Sequence, residues 1–204
     1  MVEGSRLQYV EHKLIKHNGG FIVEQKDLWS LIELSKSGDD QAEWIIEELA
    51  QKKIEEVIDF ECHFQSLMNS SYQSRLWGAA YVLMGGCSDD AFDYFRGWLI
   101  GQGEEVFNKV LKDPEFLAEY ISEDNLDEEG FPQNEELLSA GLDAYSLIKT
   151  GDTEWNDSIY DEFLEALDQK GLQPAKEIEF DWEEEDLEGL FPILWKRFGE
   201  NPLG

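Results

Sequence analysis

The fold is decided by residues 75–103, which read RLWGAAYVLMGGCSDDAFDYFRGWLIGQG. The stretch before the double glycine is apolar on nearly every side, as expected of a buried central helix. Gly85-Gly86 then ends that helix, because glycine readily adopts the backbone conformations that follow a helix C-terminus. Ser88 is placed to cap the next helix, in which Phe92 and Phe95 face one way. The segment therefore predicts two packed helices joined at a double-glycine corner.

The pattern remains helical on both sides of this corner. Residues 26–37 and 54–69 repeat apolar side chains at intervals of three and four residues, which is typical of amphipathic helices. Asn134 and the pair Ser158 and Asp161 are placed to cap two later helices. The predicted fold class is mainly α, a compact helical bundle.

Two short segments are compatible with β-structure. Asn18-Gly19-Gly20 is a turn signal within residues 1–24, so a small hairpin is expected in this N-terminal extension. Residues 177–180, EIEF, alternate polar and apolar side chains and are compatible with one short strand. Neither segment changes the helical class.

Composition and charge exclude two classes of protein. The chain of 204 residues is 42% hydrophobic and 13% aromatic, which excludes a wholly disordered chain. It holds 46 acidic and 16 basic residues, a formal charge of −30. A general nucleic-acid binder needs a basic face to displace counterions, so direct binding of nucleic acid is not expected.

The charge is concentrated in the second half of the chain. Residues 113–188 hold 26 acidic and 3 basic residues, against 19 and 11 in residues 1–112. We therefore divide the chain into an N-terminal extension (1–24), a helical domain (25–150) and an acidic helical C-terminal extension (151–204) packed on that domain. The acidic part should be solvated or face a partner.

Targeting signals and cysteine content predict a cytoplasmic protein. No apolar run approaches the roughly 20 residues of a membrane helix, so no membrane association is expected. The first residues lack the continuous apolar core of a secretory signal. Cys62 and Cys87 both lie in apolar surroundings, which favours buried free thiols in a reducing compartment.

Residues 85–103, GGCSDDAFDYFRGWLIGQG, resemble the signature of a bacterial family known as domain of unknown function 4240. The preceding LWGAAYVLMGG is similar to the buried helix of that family, and the run from Lys26 to Glu119 is similar in order and spacing. The closing FDWEEEDLEGLFPILWKRFG resembles the ending of many members. The resemblance implies a compact, mostly helical cytoplasmic domain and no established activity. The long acidic second half departs from the family, so partners are not carried over from relatives.

One candidate site lies at the start of the second predicted helix and consists of Asp89, Asp90, Asp93 and Arg96. Residues three and four apart share a helix face, so such a cluster could position a metal ion or a charged ligand. The alternative is helix capping by the aspartates together with a local Asp93–Arg96 ion pair. Four aromatic residues could wall a pocket beside the cluster or belong to the core: Trp77, Tyr81, Tyr94 and Trp98.

Cys62, His63 and Cys87 offer two further chemistries. A zinc site requires four ligands in closely spaced pairs, and the chain has no CxxC or HxxxH spacing, so no metal and no cofactor is predicted. Cys87 precedes a helix N-terminus, which favours a thiolate, and is a candidate nucleophile; a buried inert thiol is the alternative. Gly85-Gly86 lacks the lysine of a phosphate-binding loop and is interpreted as a tight turn.

Acidic surfaces are predicted at Glu123–Glu136 and Glu177–Glu188. They provide solubility, or they capture a basic partner by charge complementarity. Aromatic residues that could anchor such a partner lie among or near the acids: Phe131, Trp155, Phe180 and Trp182.

Two functional hypotheses follow from these observations. The first is a non-enzymatic interaction protein, of inhibitory or immunity type, that binds a basic protein. The second is a hydrolytic or metal-assisted enzyme, or a small-ligand protein, that uses Asp89, Asp90 and Asp93 as ligands or acid–base groups and Arg96 as an anion anchor.

Overall fold

The computed structural model describes residues 24–38 and 40–203, which form an all-helical fold. The helices are α1 (Gln25–Ser35), α2 (Gln41–Ala50), α3 (Ile54–Ser71), α4 (Ser74–Met84), α5 (Asp89–Gly101), α6 (Glu104–Lys112), α7 (Leu117–Tyr120), α8 (Glu136–Thr150), α9 (Asp157–Gln169), α10 (Leu187–Leu190) and α11 (Pro192–Leu194). Short 3₁₀ segments at Pro114–Phe116, Glu123–Asn125 and Glu184–Asp186 and a π-helical turn at Trp195–Gly199 complete the structure. The predicted mainly α class is confirmed. None of these helices has the length and hydropathy needed to cross a membrane.

The described residues contain no strand, so the strand considered at 177–180 is wrong. The segment that follows α9 is irregular and runs beside the start of α4 rather than beside another extended segment. The Ser74 hydroxyl donates to the Asp181 carboxylate at 2.6 Å, and the Trp182 indole donates to the Ser74 carbonyl at 2.9 Å. These bonds hold the segment where it has no neighbouring strand with which to form a ladder. The hairpin predicted within residues 1–24 falls on residues outside the described part of the chain, which begins at residue 24.

Aromatic side chains fill the interior where α3, α4 and α5 meet. The ring of Trp77 on α4 stacks on that of Phe92 on α5 with centroids 4.5 Å apart. The stack continues along α5 from Phe92 to Phe95 at 6.3 Å and from Phe95 to Trp98 at 5.6 Å. Helix α8 packs along α2 and also contacts α3, α5 and α9. The apolar residues of α4 and α5 therefore meet in the interior, as predicted for two helices packed at a double-glycine corner.

The double-glycine corner between α4 and α5 is confirmed. Gly85 has φ of +64° and Gly86 has φ of +144°, a conformation that residues with a Cβ rarely adopt. Ser88 then caps α5, since its hydroxyl accepts a hydrogen bond from the Ala91 amide at 3.2 Å. The corner returns the chain on itself so that α4 and α5 pack together.

The later helix caps are partly as predicted. The Asn134 carboxamide oxygen accepts the Leu137 amide at 2.9 Å and so caps α8. The capping box predicted at Ser158 and Asp161 is wrong, because Asn156 caps α9 by accepting the Ser158 and Ile159 amides at 3.0 and 3.3 Å. Asn and Ser side chains can both accept hydrogen bonds from the free amides of a first turn, so the residue types alone predicted this cap two residues too late.

The C-terminal segment packs against α4. Leu187, Phe191, Leu194 and Phe198 are buried. A Cβ at Gly78 on α4 would lie 3.0 Å from the Phe191 ring, so this contact depends on a glycine. The Leu203 amide donates to the Leu83 carbonyl at 2.8 Å at the far end of the segment. The domain boundary between residues 150 and 151 stays a prediction.

We expect Phe191→Ala to lower the free energy of unfolding by about 3–5 kcal/mol, because it empties a fully buried site against α4. Ile193→Ala in the same segment is the control: Ile193 is 59% exposed, and its truncation should cost about 0.5 kcal/mol or less. Urea denaturation of both variants measures the difference. Equal losses would mean that the segment does not stabilise the fold through this contact.

Candidate functional site

The predicted site residues lie on two sides of α5. One open groove, of about 580 Å³, is lined by Trp77, Asp89, Asp93 and Arg96. A second groove, of about 880 Å³, includes Tyr94 and Trp98 among its lining residues. Asp90 is exposed in the first turn of α5 and lines neither groove. The structure thus brings three of the four polar candidates together with Trp77, but not with Tyr81, Tyr94 or Trp98.

Arg96 is a buried residue that joins α5 to α3. Only 5% of its surface is exposed. Its Nη1 donates to the Met68 carbonyl in the last turn of α3 at 2.6 Å, and its Nη2 is paired with the Asp93 carboxylate. The guanidinium lies 4.8 Å from the centroid of the Tyr72 ring and 5.0 Å from that of Phe92. A positive charge at this helix C-terminus is favourable, so the observed contacts give Arg96 a structural role.

One atom of Arg96 has no hydrogen-bond partner. Its Nε is buried and makes no hydrogen bond within the described residues. An unsatisfied buried donor normally costs stability, on the order of 1–3 kcal/mol. The cation–π contacts of the guanidinium with Tyr72 and Phe92 offset part of that cost.

The cysteines do not have the environment of a nucleophile. Burial raises the pKa of Cys87 to about 12, and its thiol donates to the Ser88 carbonyl. Burial also raises the pKa of Cys62, with nearby Asp59 and Glu61 acting in the same direction. Both thiols are therefore protonated at neutral pH, which argues against the candidate thiolate at Cys87. No group of three or more His, Cys, Asp or Glu side chains in the described residues is arranged to hold a metal ion.

The second groove is strongly acidic, and we call it the acidic groove. Its seven carboxylates are Asp40, Asp124, Asp127, Glu128, Glu129, Glu135 and Glu136. Lys36 is the one basic residue among the described residues that line it, and its ammonium is already bonded to Glu33 at 2.8 Å and to the Gln102 carbonyl at 2.7 Å. The groove therefore has a large uncompensated negative charge.

Local hydrogen bonds order the walls of the acidic groove. The Trp98 indole donates to the Asn125 carbonyl at 2.6 Å, and the Tyr94 hydroxyl donates to Glu135 at 3.0 Å. The Asp127 carboxylate accepts the amides of Glu129 and Phe131 at 3.0 and 2.7 Å, which closes a tight turn. The segment between α7 and α8, which supplies these residues, is therefore held in place, although it lacks regular secondary structure over much of its length.

Gly97 allows the loop and the start of α8 to lie directly on α5. A Cβ at Gly97 would come within 2.8 Å of the Asn134 carbonyl. Beside it, the Asn134 amide donates to the Tyr94 carbonyl at 3.1 Å. The acidic groove forms at this close contact.

The aromatic residues near the predicted acidic surfaces differ in their contacts. Trp155 is 66% exposed, its ring packs on that of Tyr160 with centroids 4.9 Å apart, and its indole donates to Asp157 at 2.9 Å. Phe180 is 52% exposed and contacts Trp77 edge to face at 5.1 Å. Tyr81 donates to Glu184 at 3.1 Å and so belongs to the contact between α4 and the C-terminal segment. None of these three lines the acidic groove.

Glu61 is a functional candidate that sequence reasoning missed. It is 4% exposed on α3 and lines a groove of about 700 Å³ between α3, α8 and α9, which we call the Glu61 groove. The Gln65 carboxamide donates to its carboxylate at 2.8 Å. Glu61 lies four residues after Val57 and three before Phe64, so it falls on the apolar stripe of α3. An acidic residue at an otherwise apolar helix position is therefore the sequence signal that could have identified Glu61.

The space for the Glu61 carboxylate is provided by a glycine on the facing helix. A Cβ at Gly141 on α8 would overlap the Glu61 Oε2 atom. Burial at this contact raises the pKa of Glu61 to about 7, and the hydrogen bond from Gln65 acts in the opposite direction. Glu61 therefore changes its charge near neutral pH, where an ordinary glutamate is fully ionised.

Comparisons with known proteins bear on the family alone. A family model described as "Protein of unknown function (DUF4240)" matches residues 23–147. This range contains α1 to α7 and most of α8, and it includes all the described residues that line the acidic groove. The groove at Asp89, Asp93 and Arg96 is lined in part by residues 175–177, outside the range. Searches of curated proteins and of solved structures find no significant match.

We expect Arg96→Lys to lower the free energy of unfolding by about 1–3 kcal/mol, because an ammonium cannot reproduce the planar contacts to Met68 and Asp93. Arg75→Lys is the matched control, since Arg75 is exposed and makes no hydrogen bond to a described residue. Its guanidinium lies 5.5 Å from the centroid of the Phe191 ring, a contact that a lysine ammonium can also make, so the effect should be about 0.5 kcal/mol or less. Urea denaturation distinguishes the two. Similar effects for both variants would remove the structural role given to Arg96.

Glu61→Gln should alter the pH dependence of stability. Between the ordinary value of 4.5 and the folded pKa of about 7, the native state holds a proton that the unfolded state has lost. The free energy of unfolding therefore falls with rising pH, by about 3 kcal/mol from this group. In Glu61→Gln that fall is absent, so the variant should gain stability relative to the native chain as pH rises across this interval.

Urea denaturation at about pH 5 and about pH 8 measures this change. Glu47→Gln, at an exposed position on α2, is the control and should keep a constant difference from the native chain. Parallel stability curves for Glu61→Gln and the native chain would contradict the assignment.

Proposed function

We propose that this chain, which belongs to the DUF4240 family, is a non-enzymatic interaction protein whose acidic groove binds a basic segment of a partner protein. Membership of the family assigns no activity. One observation carries the proposal: seven carboxylates line one ordered groove without a free cation among them. Such a surface attracts lysine and arginine side chains and speeds their association.

The walls of the groove add specificity to this attraction. Tyr94 is half-buried among the carboxylates, and its hydrogen bond to Glu135 fixes the position of its ring. Trp98 is 3% exposed and supports the groove wall from the interior. Aromatic side chains stack with arginine and support the aliphatic part of lysine. A partner segment with alternating basic and apolar residues therefore fits the groove better than a simple polycation.

An inhibitory or immunity-type role agrees with this surface. A protein of charge −30 repels nucleic acid, whereas it attracts the basic surface of a nucleic-acid-binding protein and competes with the anionic substrate of that protein. We also propose that the protein is cytoplasmic, because Cys62 and Cys87 are free thiols, which a reducing compartment favours.

The enzyme hypothesis receives less support from the geometry. Asp89, Asp93 and Arg96 share a groove, but the Arg96 guanidinium is occupied by Met68 and Asp93. Asp90 lies outside that groove. Anion anchoring by Arg96 would require these interior contacts to break, so hydrolysis or small-ligand binding there is the second candidate.

The test of the proposal is binding of a lysine- and arginine-rich peptide by isothermal titration calorimetry. Two variants remove the same charge from exposed positions whose side chains form no hydrogen bond within the described residues. The groove variant is Asp124→Asn with Glu128→Gln and Glu129→Gln; the control is Asp161→Asn with Glu179→Gln and Glu188→Gln. We expect the groove variant to weaken binding several-fold and the control to stay close to the native chain, with both affinities falling as salt rises.

Equal effects of the two variants would show that the peptide binds to the overall charge and not to the acidic groove. Binding that does not respond to salt would contradict the electrostatic basis of the proposal.

A further inference from the structure

The Glu61 groove combines one buried acid with an apolar wall. The acid comes from α3, and the wall is formed by side chains of α8, α9 and the residues after α9: Leu138, Leu142, Phe163, Leu164, Leu167 and Leu172. Leu164 is among the few large hydrophobic residues of the described chain that are well exposed. A concave apolar surface of about 700 Å³ is in the range of small-molecule sites.

The charge of Glu61 has no cationic partner. The ion pairs of the described residues do not include it, whereas the neighbouring buried acid Asp59 is paired with Lys170. Gln65 contributes a neutral hydrogen bond. A carboxylate removed from water without a countercharge is unfavourable, so a cation that reaches it gains a strong interaction.

The remaining polar groups of the groove also favour a cation. Those that face Glu61 across the groove are Tyr94 from α5, Glu135, Glu136 and Ser139 from the start of α8, and Tyr160 from α9. Among the described residues, the lining contains no Lys, Arg or His. An anion would meet carboxylates, hydroxyls and a Gln65 carboxamide that already donates to Glu61, whereas an ammonium group finds oxygen acceptors on every polar side.

We propose that the Glu61 groove binds a small organic ammonium ion with an apolar substituent. The ammonium donates to the Glu61 carboxylate, and the substituent lies on the leucines and Phe163. Glu61 lines this site and does not line the acidic groove proposed to bind a peptide, although Tyr94, Glu135 and Glu136 border both grooves.

The ionisation of Glu61 makes this binding dependent on pH. The carboxylate forms as pH rises through about 7, while an alkylammonium ion keeps its proton to about pH 10. Affinity should therefore increase between about pH 6 and about pH 8. Glu135 and Glu136 are exposed at the rim, and the hydrogen bond to Glu135 raises the pKa of Tyr94 above its usual value.

The test uses hexylamine as the probe, with hexanol as the neutral analogue of the same length. Calorimetric titration of the full chain at about pH 8 should show saturable binding of hexylamine, at least about tenfold tighter than that of hexanol. Glu61→Gln keeps the size of the side chain and removes its charge, so it should weaken hexylamine binding about tenfold and leave hexanol unchanged. Glu47→Gln should bind hexylamine like the native chain.

Several results would overturn the proposal. They are equal binding of hexylamine and hexanol by the native chain, unchanged hexylamine affinity in Glu61→Gln, or a native affinity that does not rise with pH. The native-chain comparisons remain decisive if the Glu61→Gln variant is poorly folded. The acidic-groove variant at Asp124, Glu128 and Glu129 should retain hexylamine binding, so this proposal and the proposed function can fail separately.

Discussion

Ring stacking between α4 and α5 is the contact on which both sides of the molecule depend. Trp77 and Phe92 lie 4.5 Å apart across this contact, and the double-glycine corner brings them together. Arg96 then ties the same layer to α3 through the Met68 carbonyl. Aromatic rings fix one side of α5 and the Arg96 guanidinium fixes another. The grooves that border the remaining sides of α5 therefore keep their shape.

The charge of the chain makes this interior necessary. A formal charge of −30 opposes any compact state, and the described residues supply few cations to offset it. Most acids lie outside, where water screens their repulsion. The buried exceptions are treated differently: Asp59 has Lys170 as its partner, whereas Glu61 has an uncharged carboxamide. This difference separates an acid that stabilises the fold from one that is available to a ligand.

The sequence predicts the helical class, the glycine corner and the caps at Ser88 and Asn134, because those features depend on neighbouring residues. The Ser158 capping box is wrong because a second suitable capping residue, Asn156, lies two positions earlier. The strand at 177–180 is wrong because a strand needs a neighbouring strand, which is a distant contact. Both grooves are invisible to local patterns for the same reason. Gly97 and Gly141 are the residues that permit the relevant helices to approach, yet each looks like an unfavourable glycine within a helix until its neighbour is known.

The helix α9 lies beyond the residues matched by the family model, and it still covers Glu61 inside them. Phe163 and Leu167 are buried against the Glu61 groove and keep water from its floor. If α9 were absent, water would reach the Glu61 carboxylate from that side, and its pKa would move toward that of an ordinary glutamate. The proton affinity of Glu61 therefore depends on α9, which lies outside the matched range, as well as on the contact with Gly141 of α8, which lies inside it.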